Sequence, residues 1–108
     1  MNEIKEANFN KGNFERANLK IANFKEDNLT KSNFIGAELI KANLKEAYLE
    51  GANLREANLE GANFEGANLS GAHYLSFGQL SKVKTLHNTK LNGDILKSLK
   101  EKHPTLFE

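Results

Sequence analysis

The sequence predicts an all-β solenoid over residues 1–75, followed by a short helical segment over residues 76–108. An apolar residue occurs at every fifth position, at Ile4, Phe9, Phe14, Leu19, Phe24, Leu29, Phe34, Leu39, Leu44, Leu49, Leu54, Leu59, Phe64, Leu69 and Tyr74. Alanine lies two residues before this position in eleven of the fifteen repeats, and asparagine lies one residue before it in eleven. Glycine lies two residues after it at Gly36, Gly51, Gly61, Gly66 and Gly71. This regularity indicates that each repeat buries its apolar residue against its neighbours.

A period of five residues requires the chain to turn once in each repeat. Five residues rotate an α-helix by about 500°, so the apolar positions would spiral around a straight helix. In a continuous strand, an odd step would send successive apolar residues to opposite faces. The periodic glycines fall where a β-turn with positive φ favours glycine, which supports one turn per repeat.

Runs such as Ala52-Asn53-Leu54-Arg55-Glu56 and Ala62-Asn63-Phe64-Glu65-Gly66 resemble the pentapeptide-repeat family, and the resemblance covers about residues 2–75. It implies a right-handed, four-sided β-helix in which each pentapeptide forms one side. Fifteen repeats would then make about four coils. Residues twenty positions apart would stack, as in the inward column Phe14, Phe34, Leu54 and Tyr74.

Two polar features of the repeats need an explanation. The repeated asparagine can serve the backbone of the turn through its side chain. A flat asparagine array could instead recognise ice or carbohydrate, but Glu3, Glu38, Tyr48 and His73 interrupt it. Asp27 occupies an inward small-residue position, where a carboxylate needs hydrogen-bond donors. We expect it to accept from backbone N–H groups or water, or the coil to be wider there.

Composition argues against several classes of function. The chain has no cysteine, which excludes disulfides and thiolate chemistry. His73, His87 and His103 have no metal-ligand spacing, and no phosphate-loop or dinucleotide motif occurs. We therefore expect a protein that is not an enzyme and binds no cofactor or metal.

Charge and hydropathy limit the partners. Residues 1–75 carry nine Lys and Arg against eleven Asp and Glu, a net charge of −2, and residues 76–108 carry six against three, or +3. Neither charge favours direct nucleic-acid binding. No apolar run reaches the length of a membrane span and the first residues lack an apolar leader, so we expect a cytoplasmic protein without membrane contact.

Outward positions that depart from the polar pattern form the candidate partner surface: Ile21, Ile35, Glu38, Ile40 and Tyr48. The three isoleucines are expected near one edge. A small apolar patch on a polar wall can mark a contact site, although scattered exposed isoleucines are also normal.

Residues 76–108 are expected to form a C-terminal helical cap. Ser76 and Gln79 have the spacing of a helix N-terminus, Asn92-Gly93 marks a break, and Pro104 ends a second helix near His103. The last coil of a solenoid exposes an apolar end and unpaired backbone, which two amphipathic helices would cover. A helix that binds a partner independently is the alternative.

The N-terminal end of the repeats shows no comparable cap in the sequence. Ile4, Phe9 and Phe14 would be incompletely covered there. The sequence therefore predicts a two-fold homodimer in which the N-terminal coils of two chains meet.

These features favour a structural or interaction scaffold that presents a rigid β-helical surface to an unknown protein partner. The family resemblance implies an alternative, since some pentapeptide-repeat proteins resemble duplex DNA, bind DNA gyrase or related topoisomerases and confer fluoroquinolone resistance. This chain departs from them because its repeat segment is short, its charge there is only −2 and no long loop interrupts the repeats. A module that regulates a signalling enzyme would need a second domain, which these 108 residues do not contain.

Overall fold

The structure is a computed structural model that describes residues 7–108. Its repeats are joined by parallel bridges between residues twenty positions apart: Asn8 pairs with Asn28, Asn28 with Tyr48, and Tyr48 with Asn68. Each pentapeptide contributes one bridge, so four successive bridges complete a coil. In the part of the chain described, these are single-residue bridges separated by turns, and no continuous strand forms.

The four sides of the coil are numbered here by their bridged, outward-facing residues. The first side carries Asn23, Asn43, Asn63 and Thr85; the second carries Asn8, Asn28, Tyr48, Asn68 and Lys90; the third carries Asn13, Asn33, Asn53 and His73; the fourth carries Asn18, Glu38 and Asn58. The first side is opposite the third, and the second is opposite the fourth.

The interior is filled by the periodic apolar residues. From Phe24 to Leu69, every central residue of a repeat is at most 5% exposed, and the alanines from Ala37 to Ala67 are at most 3% exposed. The N-terminal part of this core is aromatic, with the rings of Phe14 and Phe34 stacked at 4.9 Å and Phe24 edge-on to Phe14 at 5.6 Å. Full burial of one such side chain contributes about 1.5–3 kcal/mol, so burial of this column is a large stabilising contribution to the fold.

The asparagines on the outside of the coil stabilise its turns. Each of the eleven repeat asparagines accepts a hydrogen bond at Oδ1 from the backbone N–H two residues later, over 2.9–3.3 Å. This geometry is an Asx turn, and it confirms the structural interpretation of the asparagine.

Asp27 is buried at 7% exposure and satisfies its carboxylate within the coil. Its Oδ1 accepts a hydrogen bond from the backbone N–H of Ala7 at 2.9 Å. The expected backbone donor is therefore present. A polar residue is tolerated at this inward position because it bonds to the main chain of the preceding coil.

The prediction that the Tyr74 side chain points into the coil is wrong. Tyr74 has a φ of 63° and is 66% exposed, and the Arg55 guanidinium carbon lies 5.9 Å from its ring centroid. Leu75 packs against the core instead. The chain leaves the coil here to begin a helix, so the residue at the turn faces outwards.

Helix α1 (Phe77–Leu80) interrupts the coil. Ser76 caps it, because the Ser76 hydroxyl accepts from the Gln79 N–H at 3.0 Å and Gln79 Oε1 accepts from the Ser76 N–H at 2.9 Å. The Gln79 side-chain amide also donates to the carbonyl oxygens of Leu54 and Ala57, at 2.8 and 2.9 Å. These bonds attach the helix to the preceding coil.

Beyond α1 the chain returns to parallel pairing, which the division at residue 75 did not anticipate. Thr85 pairs with Asn63 and Lys90 with Asn68, now at a separation of 22 residues because α1 lengthens the coil by two. Leu86 is fully buried. The Thr85 hydroxyl accepts from the His87 N–H at 3.0 Å, as the repeat asparagines do in their turns.

The last elements are helix α2 (Gly93–Lys102) and a 3-10 helix (Pro104–Phe107). Leu99 of α2 is fully buried. The Leu106 carbonyl oxygen accepts hydrogen bonds from the Leu86 N–H at 2.7 Å and from the Thr85 hydroxyl at 3.3 Å. The C-terminal edge of the coil is therefore paired with the chain's own last residues. No helix within residues 7–108 has the length and apolar character that a membrane span requires.

Candidate functional site

Four of the five candidate partner-surface residues border the fourth side of the coil. Glu38 lies on the fourth side, Ile21 and Ile40 lie at its corner with the first side, and Ile35 lies at its other corner, with the third side. The Ile21 N–H donates to the Ile40 carbonyl oxygen at 3.0 Å, so these two isoleucines are neighbours on successive coils. Glu38 lies between Ile35 and Ile40 along the chain, and its carboxylate is 3.2 Å from the Lys20 ammonium.

Tyr48 is separate from this group. It lies on the second side, opposite Glu38, and is 49% exposed. Shallow depressions on either side of Tyr48 are bordered by Glu26 and by Asn28 or Asn68. The five candidate residues therefore occupy two opposite walls and do not form one surface.

Ile21 is the most unusual residue at the corner between the fourth and first sides. It is 75% exposed and has a φ of 62°, at the turn position that five other repeats fill with glycine. Seven further repeats place unbranched charged residues there: Lys11, Arg16, Glu26, Lys31, Lys41, Glu46 and Glu56. A β-branched residue with positive φ is strained, because its branched Cβ crowds the backbone. Ile21 therefore lowers stability through backbone strain and also exposes apolar surface.

A shallow groove follows the corner between the fourth and first sides. We call it the basic groove, and it is lined by Lys41, Ala42, Asn43, Gly61, Asn63 and Lys84. Lys41 and Gly61 occupy the same turn position as Ile21, one and two coils further along. Ile21 and Ile40 therefore lie beside the N-terminal end of the groove.

The side chains that line the basic groove present hydrogen-bond donors. The Oδ1 atoms of Asn43 and Asn63 accept from the N–H groups of Lys45 and Glu65, at 3.0 and 2.9 Å. Their Nδ2 groups have no protein acceptor among the described residues. In the same part of the chain, Lys41 and Lys84 form no ion pair. The groove is thus suited to a ligand rich in acceptors.

None of the six residues that line the groove was predicted from the sequence as a candidate site residue. Lys41, Asn43, Gly61 and Asn63 all follow the repeat pattern, so nothing distinguished them from a solvated wall. Stacking in twenties places Lys41 beside Gly61, which was the available signal. Lys84 gave no such signal, because the two-residue lengthening around α1 changes its register.

Within residues 7–108, the histidines and carboxylates form no cluster that could hold a metal ion. His73 is exposed on the third side. His87 Nδ1 lies 3.2 Å from the Phe107 carbonyl oxygen, and the His103 ring lies 5.5 Å from that of Phe77. Each histidine thus has a separate environment.

The N-terminal end holds the predicted dimer contacts. Phe9 is 37% exposed and Phe14 is partly buried, with their ring centroids 5.7 Å apart, whereas Ile4 lies outside the described residues. In the next coil the Asn28 N–H donates to the Ala7 carbonyl oxygen. The equivalent N–H of Asn8 has no acceptor among residues 7–108.

Three comparisons place this chain among known proteins. The sequence model described as Pentapeptide repeats matches residues 4–34, 32–71 and 47–84, with eight copies. A search of curated proteins gives no match. Rfr23, a pentapeptide-repeat protein from the cyanobacterium Cyanothece 51142, is 28% identical with a TM-score of 0.42, over 85% of this chain and 67% of that chain.

Two solved structures of QnrB1, a plasmid-mediated fluoroquinolone resistance protein, superpose with TM-scores of 0.70 and 0.71. They are 22% and 21% identical to this chain. The two alignments cover 95% and 99% of this chain, and 48% and 51% of the QnrB1 chains. This chain spans about half the length of QnrB1, and the likeness concerns the fold. The neighbours imply a right-handed β-helix. Since the family model covers most of the sequence, the chain belongs to the pentapeptide-repeat family.

Proposed function

We propose that this protein is a non-catalytic scaffold whose rigid four-sided β-helix, about four coils long and closed by a C-terminal helical cap, presents a surface to a protein partner in the cytoplasm. Ile21 carries this proposal. An exposed, β-branched residue with positive φ does not stabilise the isolated fold, and polar residues or glycine serve the same turn elsewhere. Contact with a partner would bury its side chain and offset the strain.

The regular wall supports the same function. Outward residues on successive coils are spaced by the strand separation of about 4.8 Å, and the buried column beneath holds their backbone in place. Such a wall can bind a partner with little ordering of its own backbone. Repeat proteins use extended surfaces in this way.

Cross-linking from each side tests the scaffold proposal. Because the chain has no cysteine, single cysteines can replace Lys25, Tyr48, Arg55 and Lys20 on the first to fourth sides and carry a photoreactive label. In extract from the native cell, we expect a discrete protein adduct from one side or corner and little from the opposite side. Equal labelling from all four sides, matching that of the unfolded chain, would refute the scaffold.

Binding of DNA gyrase is the second candidate, and the structural likeness to QnrB1 is the observation that favours it. The charge does not, because a net −2 over residues 1–75 is far from the negative charge density of duplex DNA. A supercoiling assay with gyrase decides between the two. We expect no inhibition at high molar excess, whereas stoichiometric inhibition would favour the mimic.

We also propose a two-fold homodimer formed by the N-terminal coils. Exposed Phe9 and half-buried Phe14 lie at this end, and the Asn8 N–H has no acceptor among residues 7–108, whereas the C-terminal edge is paired with Leu106. An interface that uses one end of each chain closes as a dimer. Sedimentation equilibrium should give twice the chain mass at micromolar concentration, and Phe9→Glu should give a monomer. A wild-type monomer would refute the dimer.

A further inference from the structure

We propose that the basic groove and the adjoining Ile21 and Ile40 form the docking surface for an extended acidic segment of the partner protein, which carries one apolar side chain near its acidic residues. The proposal rests on the scaffold function above and specifies the chemistry of the partner. The groove would hold the carboxylates, and the two isoleucines would hold the apolar side chain.

The acidic character of the bound segment follows from the polar groups that line the basic groove. Lys41 and Lys84 are exposed cations without ion pairs in the described part of the chain. The amides of Asn43 and Asn63 have their oxygens engaged by the turns, so their Nδ2 donors are available. Carboxylates accept from both kinds of donor, whereas a basic or neutral donor-rich segment would meet repulsion or unpaired donors.

The available space favours an extended chain. Gly61 has no side chain and lies at the middle of the groove, where an added Cβ would come within 3.1 Å of Lys41 Cγ. Its φ of 69° is accessible to glycine without strain. Gly61 thus keeps the floor of the groove shallow, with the stem of Lys41 beside it, and a bound segment would cross this floor in an extended conformation.

The position of the apolar side chain within the bound segment follows from the stacking of the coils. Ile21 precedes Gly61 by two coils, a distance of roughly 10 Å at the spacing between strands. An extended peptide spans this distance with about three residues. The Ile40 carbonyl oxygen bonds to the Ile21 N–H, so the partly buried Ile40 side chain lies beside the exposed one. An apolar side chain about three residues from the carboxylates would contact both.

Fluorescence anisotropy with a synthetic peptide tests the acidic part. The probe is fluorescein-labelled Leu-Gly-Gly-Glu-Glu-Glu-Glu, titrated with full-length protein at low ionic strength. We expect Lys41→Gln with Lys84→Gln to weaken binding about tenfold, since each lost charge contact accounts for about threefold. Added salt should also weaken wild-type binding, because these charges are exposed.

The matched control is the double variant Lys31→Gln with Lys90→Gln. It removes the same number of charges, and Lys31 occupies the same turn position as Lys41, with φ values of 60° and 57°. We expect less than twofold loss of probe affinity. Equal losses in the two double variants would show a nonspecific charge effect and overturn the groove. Tighter binding of a duplex DNA than of the peptide, lost in the Lys41 and Lys84 variant, would also overturn it.

The isoleucines are tested by Ile21→Asn and by a probe in which alanine replaces leucine. We expect Ile21→Asn to weaken binding of the leucine probe about fivefold and to leave the alanine probe unchanged. Equal effects on both probes would overturn the apolar part. If cross-linking finds a partner only on the second side, around Tyr48, the groove is refuted while the scaffold function stands.

Discussion

The hydroxyl of Thr89 donates a hydrogen bond to the backbone carbonyl oxygen of Phe64, at 2.7 Å and across 25 residues of sequence. Thr89 is 9% exposed and takes the inward position that alanine fills in most repeats. Ser32 repeats this arrangement, with its hydroxyl 2.9 Å from the carbonyl oxygen of Phe9. The bond attaches the chain after α1 to the preceding coil.

Thr89→Val tests this attachment. The substitution keeps the shape of the side chain and removes the hydroxyl, so we expect a loss of about 1 kcal/mol in the free energy of unfolding. Urea denaturation measures it. The control is Thr30→Val, whose hydroxyl makes no hydrogen bond in the described part of the chain and which should change stability by less than about 0.5 kcal/mol. Equal losses would contradict a specific role for Thr89.

The inward leucines should differ in energy along the axis. Leu44 is fully buried, and its replacement by alanine should lower the free energy of unfolding by about 2–5 kcal/mol through lost burial and a cavity. Leu19 is only partly buried near the N-terminal end, so Leu19→Ala should cost clearly less. Urea denaturation of both variants checks this. Equal costs would mean that the N-terminal coil is as enclosed in solution as the middle.

Each repeated asparagine should stabilise the fold by about the free energy of its turn hydrogen bond. Asn33 accepts from the Ile35 N–H at 2.9 Å, so Asn33→Ala should destabilise the protein by about 1 kcal/mol. Asn10 is exposed and its side chain makes no hydrogen bond in residues 7–108, so Asn10→Ala should be nearly neutral. Thermal unfolding of the two variants gives the comparison. A neutral Asn33→Ala would reopen a surface role for the asparagines.

Two glycines should respond to alanine with opposite sign. Gly51 has a φ of 70°, and an added Cβ would lie 3.2 Å from Lys31 Cγ, so Gly51→Ala should lower stability by about 1 kcal/mol. Gly93 begins helix α2, and an added Cβ would have no neighbour within 4 Å. Gly93→Ala should therefore raise stability by about 0.4–1 kcal/mol. Melting temperatures that move in the same direction would contradict this assignment.

The regular part of the fold was predictable because one rule repeats. The buried column from Phe24 to Leu69 follows from the five-residue spacing, and the turn role of the asparagines follows from the chemistry of their side chains. The rule fails where the chain leaves the coil: Tyr74 keeps the spacing but faces solvent, and Leu86 keeps the interior but loses the spacing. Both departures originate in α1, whose capping residues were recognisable while its effect on register was not.

The candidate site was predictable only in part. An isoleucine at an outward position of the repeat differs from the polar residues usual there, so Ile21 and Ile40 were identified from the sequence. The distance of Tyr48 from them follows only when four repeats are known to make one coil. The donors of Asn43 and Asn63 depend on which amide atom the turn engages, which is a property of the folded backbone.

In the proposed function, Ile21 departs from the repeat pattern because it contacts a partner and not because the fold requires it. The free energy of unfolding of Ile21→Asn, measured by urea denaturation, tests this most directly. Asparagine adopts positive φ more readily than isoleucine, and Ile21 is 75% exposed, so little packing is lost. We predict that the variant is more stable than the wild type by about 1 kcal/mol. A variant less stable by that amount would show that Ile21 stabilises the fold, and would argue against a partner contact at this residue.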